Sequence, residues 1–241
     1  TGTIWRPPYE ASSLLLEVTA GCTHHKCKFC TLYSDLPFKF RMSPMEDIEC
    51  DLQEVADTLK QWKGFQFDRA FLTGANPFVL KTEHLLAISE LVRKYVPTVR
   101  TIGCFARVTD VTLKSDGDLT ALAQGGYDSL TIGIETGDDE ALRFMNKGYA
   151  AADIITQCRR LDQAGIRYRF FYLAGISGAG RGEAGAKATA AVCNQLHPML
   201  IGVNMLTIYP DSELYQEIQR GSWKGESEIE KYKEIRVLLE N

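Results

Sequence analysis

The sequence predicts a single-domain α/β fold with parallel strands, on three observations. Strand-like and helix-like patterns alternate six times, mostly at about thirty-residue spacing. No Pro/Ser-rich linker or low-complexity tract separates the units. At 241 residues and 45% hydrophobic, the chain can bury a large core, and this length suits one barrel-like domain. Alternation of this kind implies right-handed helical crossovers between parallel strands, in a doubly wound sheet or a partial, TIM-like (β/α)6 barrel. Either arrangement puts function at the C-terminal ends of the strands.

The first strand, Leu14 to Thr19, runs straight into a loop holding three cysteines. Ser43-Pro44-Met45-Glu46 then combines an N-cap Ser, a first-turn Pro and a Glu three positions on. This opens a helix with a buried stripe of Ile48, Leu52, Val55, Leu59 and Trp62, stopped by Gly64. Ala70 to Thr73 is the second strand, closed by Gly74-Ala75-Asn76-Pro77, and a helix follows from Thr82 to Val96 before Pro97. Val99 to Ala106 is the third strand, interrupted at Gly103. Ser115 or Asp116 caps a short helix ending at Gly125-Gly126, and Ser129 to Ile134 is the fourth strand.

Glu135 to Asp139 opens a helical stretch whose acidic first turn suits the positive end of a helix dipole. A helix carrying Ile154, Ile155, Cys158 and Leu161 ends at Gly165. Tyr168 to Ala174 is the fifth strand, Gly182 to Gln195 the next helix, and Ile201 to Ile208 the sixth strand. Asp211 begins another helix. Ser227 with Glu230 forms a capping box leading into an apolar stripe of Ile229, Tyr232, Ile235 and Leu238.

A formal net charge of -4 and a pI near 5.7 give no general attraction to nucleic acid or anionic membrane, and neither is expected as a partner. No run approaches the roughly 18 apolar residues that span a bilayer, and no signal sequence opens the chain, so a cytoplasmic protein is expected. Residue 1 is Thr and a helical pattern still runs at Asn241, so further chain is expected at both ends.

Of seven cysteines, Cys22, Cys27 and Cys30 form one tight cluster, and Cys50, Cys104, Cys158 and Cys193 stand alone. That distribution suits a metal site in a reducing compartment, with the lone four as ordinary thiols. Soft thiolates ligate zinc or iron-sulfur clusters. A zinc site needs a fourth ligand, which His24 or His25 could supply, but no later Cys/His pair completes a two-knuckle pattern. A [4Fe-4S] cluster on three thiolates leaves one iron open.

Cys22-x4-Cys27-x2-Cys30 at the end of the first strand of a six-fold strand-helix repeat resembles the radical S-adenosylmethionine (SAM) superfamily. Its usual spacing is three residues and then two, so the first gap is one residue longer here. The resemblance covers nearly the whole chain, so one core domain over 1–241 and the partial (β/α)6 barrel are expected. Phe29 matches the apolar residue before the third cysteine. Gly74-Ala75-Asn76 stands where the family has a Gly-Gly-Glu motif that binds the methionine amino group, and Asn76 offers an amide oxygen without charge.

Leu130 to Lys147, LTIGIETGDDEALRFMNK, resembles the coproporphyrinogen dehydrogenase, methylthiotransferase and elongator branch. By that resemblance Glu135 faces the ribose or amino-acid part of SAM and Lys147 pairs with its carboxylate. Gly175-Ile176-Ser177-Gly178 resembles the segment over the adenine, with Ile176 on the base, and Tyr209-Pro210-Asp211 the segment that closes the pocket. Arg107, at the end of the third strand, is placed in the pocket as a carboxylate-binding guanidinium. His84 and His197 have no identified partner. Gly180 to Gly185 fits G-x-G-x-x-G, but it opens no first βαβ unit and has no acid about twenty residues on, so no dinucleotide is expected.

The resemblance implies a [4Fe-4S] cluster and SAM as cofactors, and an external one-electron donor such as flavodoxin or ferredoxin. The expected activity is cleavage of SAM to a 5'-deoxyadenosyl radical that abstracts hydrogen from a small-molecule substrate. The rival readings are a zinc-stabilised binding protein and an iron-sulfur electron carrier. Four isolated cysteines offer no second cluster, which argues against sulfur insertion and against maturases with auxiliary clusters. No general acid or base is assigned.

Overall fold

The computed structural model describes residues 4–62 and 64–241. Six parallel strands form one sheet in the order β1 (Leu14–Glu17), β4 (Arg69–Thr73), β5 (Thr101–Ala106), β6 (Tyr127–Glu135), β7 (Arg167–Ala174) and β8 (Leu200–Met205). β1 and β8 are its two edges, so the barrel is open. Between β1 and β4 lie β2 (Thr19–Gly21), β3 (Phe40–Met42) and α1 (Met45–Gln61). The other helices are α2 (Thr82–Tyr95), α3 (Val108–Thr112), α4 (Asp116–Gln124), α5 (Asp139–Phe144), α6 (Ala151–Ala164), α7 (Gly182–Cys193), α8 (Glu213–Gln219) and α9 (Glu228–Glu240).

Alternation along the strands separates two faces. Leu14, Leu16, Ala70, Leu72, Ile102, Cys104, Leu130, Ile132, Tyr168 and Phe170 pack against Ile48, Leu52, Leu85, Ile88, Val92, Leu122, Ile154, Cys158 and Leu161 of the helices in one core. On the opposite face Phe71 meets Phe105 edge to face at 5.0 Å, and Phe105 lies 6.5 Å from Phe171. At the N-terminal end of that face Arg69 donates to Glu10, Asp128, Thr101 and Ser129, so a guanidinium fork ties four segments together.

Several expectations need correction. The first strand does not run unbroken to Thr19: β1 stops at Glu17, and Thr19 to Gly21 pairs antiparallel with Phe40 to Met42. That hairpin brackets the cysteine loop. Ser43 does not cap α1: Pro44 takes the capping position, no side chain caps the helix, and the Ser43 N–H donates to the Val18 carbonyl at 2.9 Å. Trp62 leaves the buried stripe and is 59% exposed beyond the end of α1, where it meets Phe65 edge to face. Glu135 ends β6 rather than starting a helix; Asp138 caps α5. Ser212, not Asp211, caps α8, and Ser115 caps α4. The helix α3 was not anticipated from the pattern.

The last helix shows how a stripe can mislead. Its capping box forms as expected, with the Ser227 and Glu230 side chains bonded to each other's backbone N–H groups. Ile229 and Tyr232, however, point to solvent, while Lys231, Glu234 and Leu238 are buried. The Glu234 carboxyl accepts hydrogen bonds from Tyr172 Oη and from the Gly175 N–H, the latter at 2.7 Å. Burial, followed by the nearby Glu226 carboxyl, raises its pKa well above the usual carboxylate range.

The sign of that shift makes a prediction. A carboxyl whose pKa is raised by folding stabilises the fold in acid and loses that contribution as pH rises through its folded value. Glu234→Gln, which can still bond Tyr172, Gly175 and Glu226, should therefore match the parent in thermal melts at pH 5 and exceed it in alkali. Equal melting temperatures at both pH values would contradict this.

Candidate active site

The C-terminal ends of the strands gather most of the residues singled out in the sequence. Glu135 lies at a register shift between Gly133 and Glu135, with a φ of 62°, in the left-handed region. This turn sends its carboxylate to Lys147 Nζ at 3.0 Å. Lys147 is 5% exposed and donates also to the Gly133 carbonyl. Burial alone would lower its pKa, but the Glu135 carboxylate, with smaller contributions from Tyr149 and Cys27, raises it above the ordinary lysine value. The Tyr149 hydroxyl closes the bulge by donating to the Gly133 carbonyl at 2.8 Å.

The cysteine loop docks on the segment that carries Lys147. The Lys28 N–H donates to the Met145 carbonyl at 3.1 Å, and His24 Nε2 lies 2.5 Å from the Asn146 carbonyl oxygen. Gly148 has a φ of 82°, and a Cβ there would sit 3.0 Å from the His24 ring, so the position favours glycine on two counts. On the other side the Leu214 N–H donates to the Lys28 carbonyl, and Lys28 Nζ pairs with Glu217 at 2.6 Å. The Cys22 N–H is held by the Lys39 carbonyl at 2.7 Å, across the hairpin.

Cys22 and Cys27 are half-buried and Cys30 is exposed. Burial raises the Cys27 pKa, while Lys147 and Arg107 pull it down. Among the described residues no three His, Cys, Asp or Glu side chains are arranged as a metal cage. Three soft thiols on one short loop are the donor type that an iron-sulfur cluster takes. Ile176 belongs to a small apolar cluster with Met145, Leu206 and Leu214, and Phe29 packs against that cluster. Gly175 and Gly178 have φ of 93° and 84°, which shape the turn around Ile176.

Arg107 lies at the end of β5, and its guanidinium donates to Thr109 Oγ1 and to the Lys147 carbonyl. Gly74, with φ of 125°, abuts Thr19: a Cβ would fall 1.9 Å from its hydroxyl oxygen. Ala75 follows, half-buried. Asn76 is fully buried, its amide engaged by Thr23 and Asp110. Tyr209 stands apart: it is 48% exposed, and its carbonyl accepts from Ser212 at the start of α8.

Sequence reading missed Tyr149, Thr23 and Asp110. Asp110, three residues after Arg107, carried a signal in retrospect, since its carboxylate accepts the Arg107 N–H at 2.8 Å as a helix-capping acid does. Burial pushes its pKa up to about 6. The G-x-G-x-x-G run has local causes: a Cβ on Gly182 would lie 2.0 Å from Glu226 Oε1 and one on Gly185 2.2 Å from Ser177 Oγ, while Gly180 turns at a φ of 77°.

A sequence model of the radical SAM superfamily matches residues 16–183. The chain belongs to this superfamily. The α/β fold agrees: methylornithine synthase (PylB) superimposes with a TM-score of 0.64 at 16% identity, over 94% of this chain and 62% of that one. Coproporphyrinogen III oxidase (HemN) from Escherichia coli gives 0.68 at 17%, over 95% of this chain and 50% of the oxidase. Elp3 of the archaeon Methanocaldococcus infernus gives 0.60 at 14%, over 80% and 50%. The radical SAM chain thus spans between half and two thirds of these structures. No curated protein matches it in sequence. Among the described residues no helix is long and apolar enough to cross a membrane.

Two outcomes are expected. Removing one partner of a buried ion pair typically costs about 3–5 kcal/mol, so Lys147→Met should lower stability in urea by that order, and adding Glu135→Gln should recover part of it. No loss with Lys147→Met would show that the pair is not closed in solution. After anaerobic reconstitution, Cys27→Ala should bind no stoichiometric iron, whereas Cys158→Ala, a core thiol, should bind as much as the parent. Equal losses would reject the ligand set.

Proposed function

We propose that this chain is the catalytic core of a radical SAM enzyme in which Cys22, Cys27 and Cys30 hold a [4Fe-4S] cluster. The docking of their loop at the C-terminal ends of the strands, against the segment bearing Lys147, carries this reading. Three thiolates leave one iron without a protein ligand. The cluster and SAM together supply one-electron cleavage to a 5'-deoxyadenosyl radical, and the protein supplies orientation and exclusion of water.

In this proposal Glu135, Lys147 and Arg107 form the polar wall toward SAM, and Ile176 with Phe29 the apolar one. Lys147 already carries Glu135 as its counter-ion, so it stabilises the wall and lends positive charge to Cys27, while a SAM carboxylate would meet Arg107. Gly74, Ala75 and Asn76 shape the backbone behind Thr19 and Thr23. Tyr209, from its exposed position, would reach the site only as a cover over it. Substrate is a small molecule, electrons come from an external donor such as flavodoxin or ferredoxin, and the setting is the cytoplasm.

The test is product analysis. Dithionite-reduced, reconstituted protein should convert SAM to 5'-deoxyadenosine and methionine, and Cys30→Ala should not. Absence of both products from a fully loaded parent would reject the proposal.

A further inference from the structure

Asp110 is a buried acid to which the proposed chemistry gives no task. It is 1% exposed, and its carboxylate faces two neutral donors: Asn76 Nδ2 at 3.1 and 3.2 Å and the Arg107 backbone N–H at 2.8 Å. Asn76 is fully buried as well. Its Nδ2 donates in addition to Thr23 Oγ1 at 2.8 Å, and its Oδ1 accepts the Thr23 N–H at 3.4 Å. Thr23 directly follows Cys22. A continuous chain of hydrogen bonds therefore runs from α3 through one side-chain amide to Thr23, the residue next to the first cysteine of the loop.

The chemistry of the two groups gives that chain a direction. An amide can turn over by half a revolution with almost no change of shape, so sterics alone do not orient it. An ionised carboxylate only accepts hydrogen bonds. Asp110 thus requires nitrogen on its own side of Asn76 and leaves the oxygen for the Thr23 N–H. We propose that Asp110 is a positioning residue for the cysteine loop, acting through the Asn76 amide on Thr23 and so on the Cys22 end of the loop. The inference rests on the reading that Cys22 belongs to the active site.

Asp110→Asn separates this role from simple packing. The new amide keeps an oxygen for the Arg107 N–H, still 3.2 Å from Asn76 Nδ2, but its nitrogen takes the other oxygen's place, 3.1 Å from that same Asn76 nitrogen. Turning Asn76 over removes that clash and creates another, against the Thr23 N–H. The mismatch is transferred to the loop. The double variant N76D/D110N exchanges the two groups. The carboxylate at position 76 then accepts from the Thr23 N–H, the Thr23 hydroxyl and one N–H of the amide at position 110, so the Thr23 N–H again faces an oxygen held in place by position 110.

The measurement is amide hydrogen exchange of Thr23 by NMR on the whole chain, without iron and after reconstitution, with the core amide of Leu130 as reference for global opening. D110N should speed exchange at Thr23 about fivefold relative to Leu130, the order expected for losing one hydrogen bond as long as 3.4 Å. N76D/D110N should return it to within about twofold of the parent. Exchange in D110N equal to the parent, or exchange in the double variant as fast as in D110N, overturns the proposal. Should D110N fail to fold, the double variant decides: parent-like Thr23 protection supports the role, and fast exchange or failure to fold rejects it. These readouts need no SAM, so a parent that never cleaves SAM would reject the enzymatic reading without altering the result at Thr23.

Discussion

The buried pair between Lys147 and Glu135 is the constraint on which the rest of the site depends. An ammonium that is 5% exposed requires a counter-charge, and β6 supplies it by breaking register at Gly133 and turning Glu135 into the left-handed region. That turn fixes the path of the following segment. Met145 and Asn146 then offer their carbonyls outward, and the cysteine loop is held on them through Lys28 and His24. Ion pairing at the end of one central strand therefore sets where the thiols stand.

A second set of contacts secures the loop from the remaining sides. The hairpin of β2 and β3 holds Cys22, α8 holds Lys28 through Glu217, and the Asn76 amide holds Thr23. These contacts come from segments far apart in sequence. The far end of the sheet is closed by a different arrangement, the Arg69 fork with Glu10 and Asp128. One end of the parallel sheet is thus sealed by polar side chains, and the other is organised around a loop of reactive ones, as expected where strand C-termini carry function.

The alternation of strand and helix was legible because it is written in local periodicity and in caps such as Ser115 and Ser227, which need only neighbours in sequence. The cysteine spacing was legible for the same reason. What escaped was whatever depends on distant partners. Ser43 looks like a cap, but the bond of its N–H to Val18 keeps it with the hairpin, and the helix begins one residue later, after Pro44. Trp62 fits a helical stripe whose packing on the core stops at Leu59. The last helix buries Glu234 because the end of β7 offers Tyr172 and the Gly175 N–H to a carboxyl, and Lys231 because the Leu206 carbonyl accepts from its ammonium, which no periodicity reveals. In the site, Glu135 and Lys147 could be named from the sequence, but not that they would pair with each other. The partnership of Asn76 with Asp110 crosses from β4 to α3 and was equally hidden.

The central claim is that three thiols at the C-terminal end of this sheet hold a cluster with one iron left for SAM. The most direct measurement is electron paramagnetic resonance of the anaerobically reconstituted, reduced protein, with and without SAM. The account predicts a reduced [4Fe-4S] signal whose g-values shift when SAM is added. Stoichiometric zinc with no cluster, or a cluster signal indifferent to SAM, would contradict it.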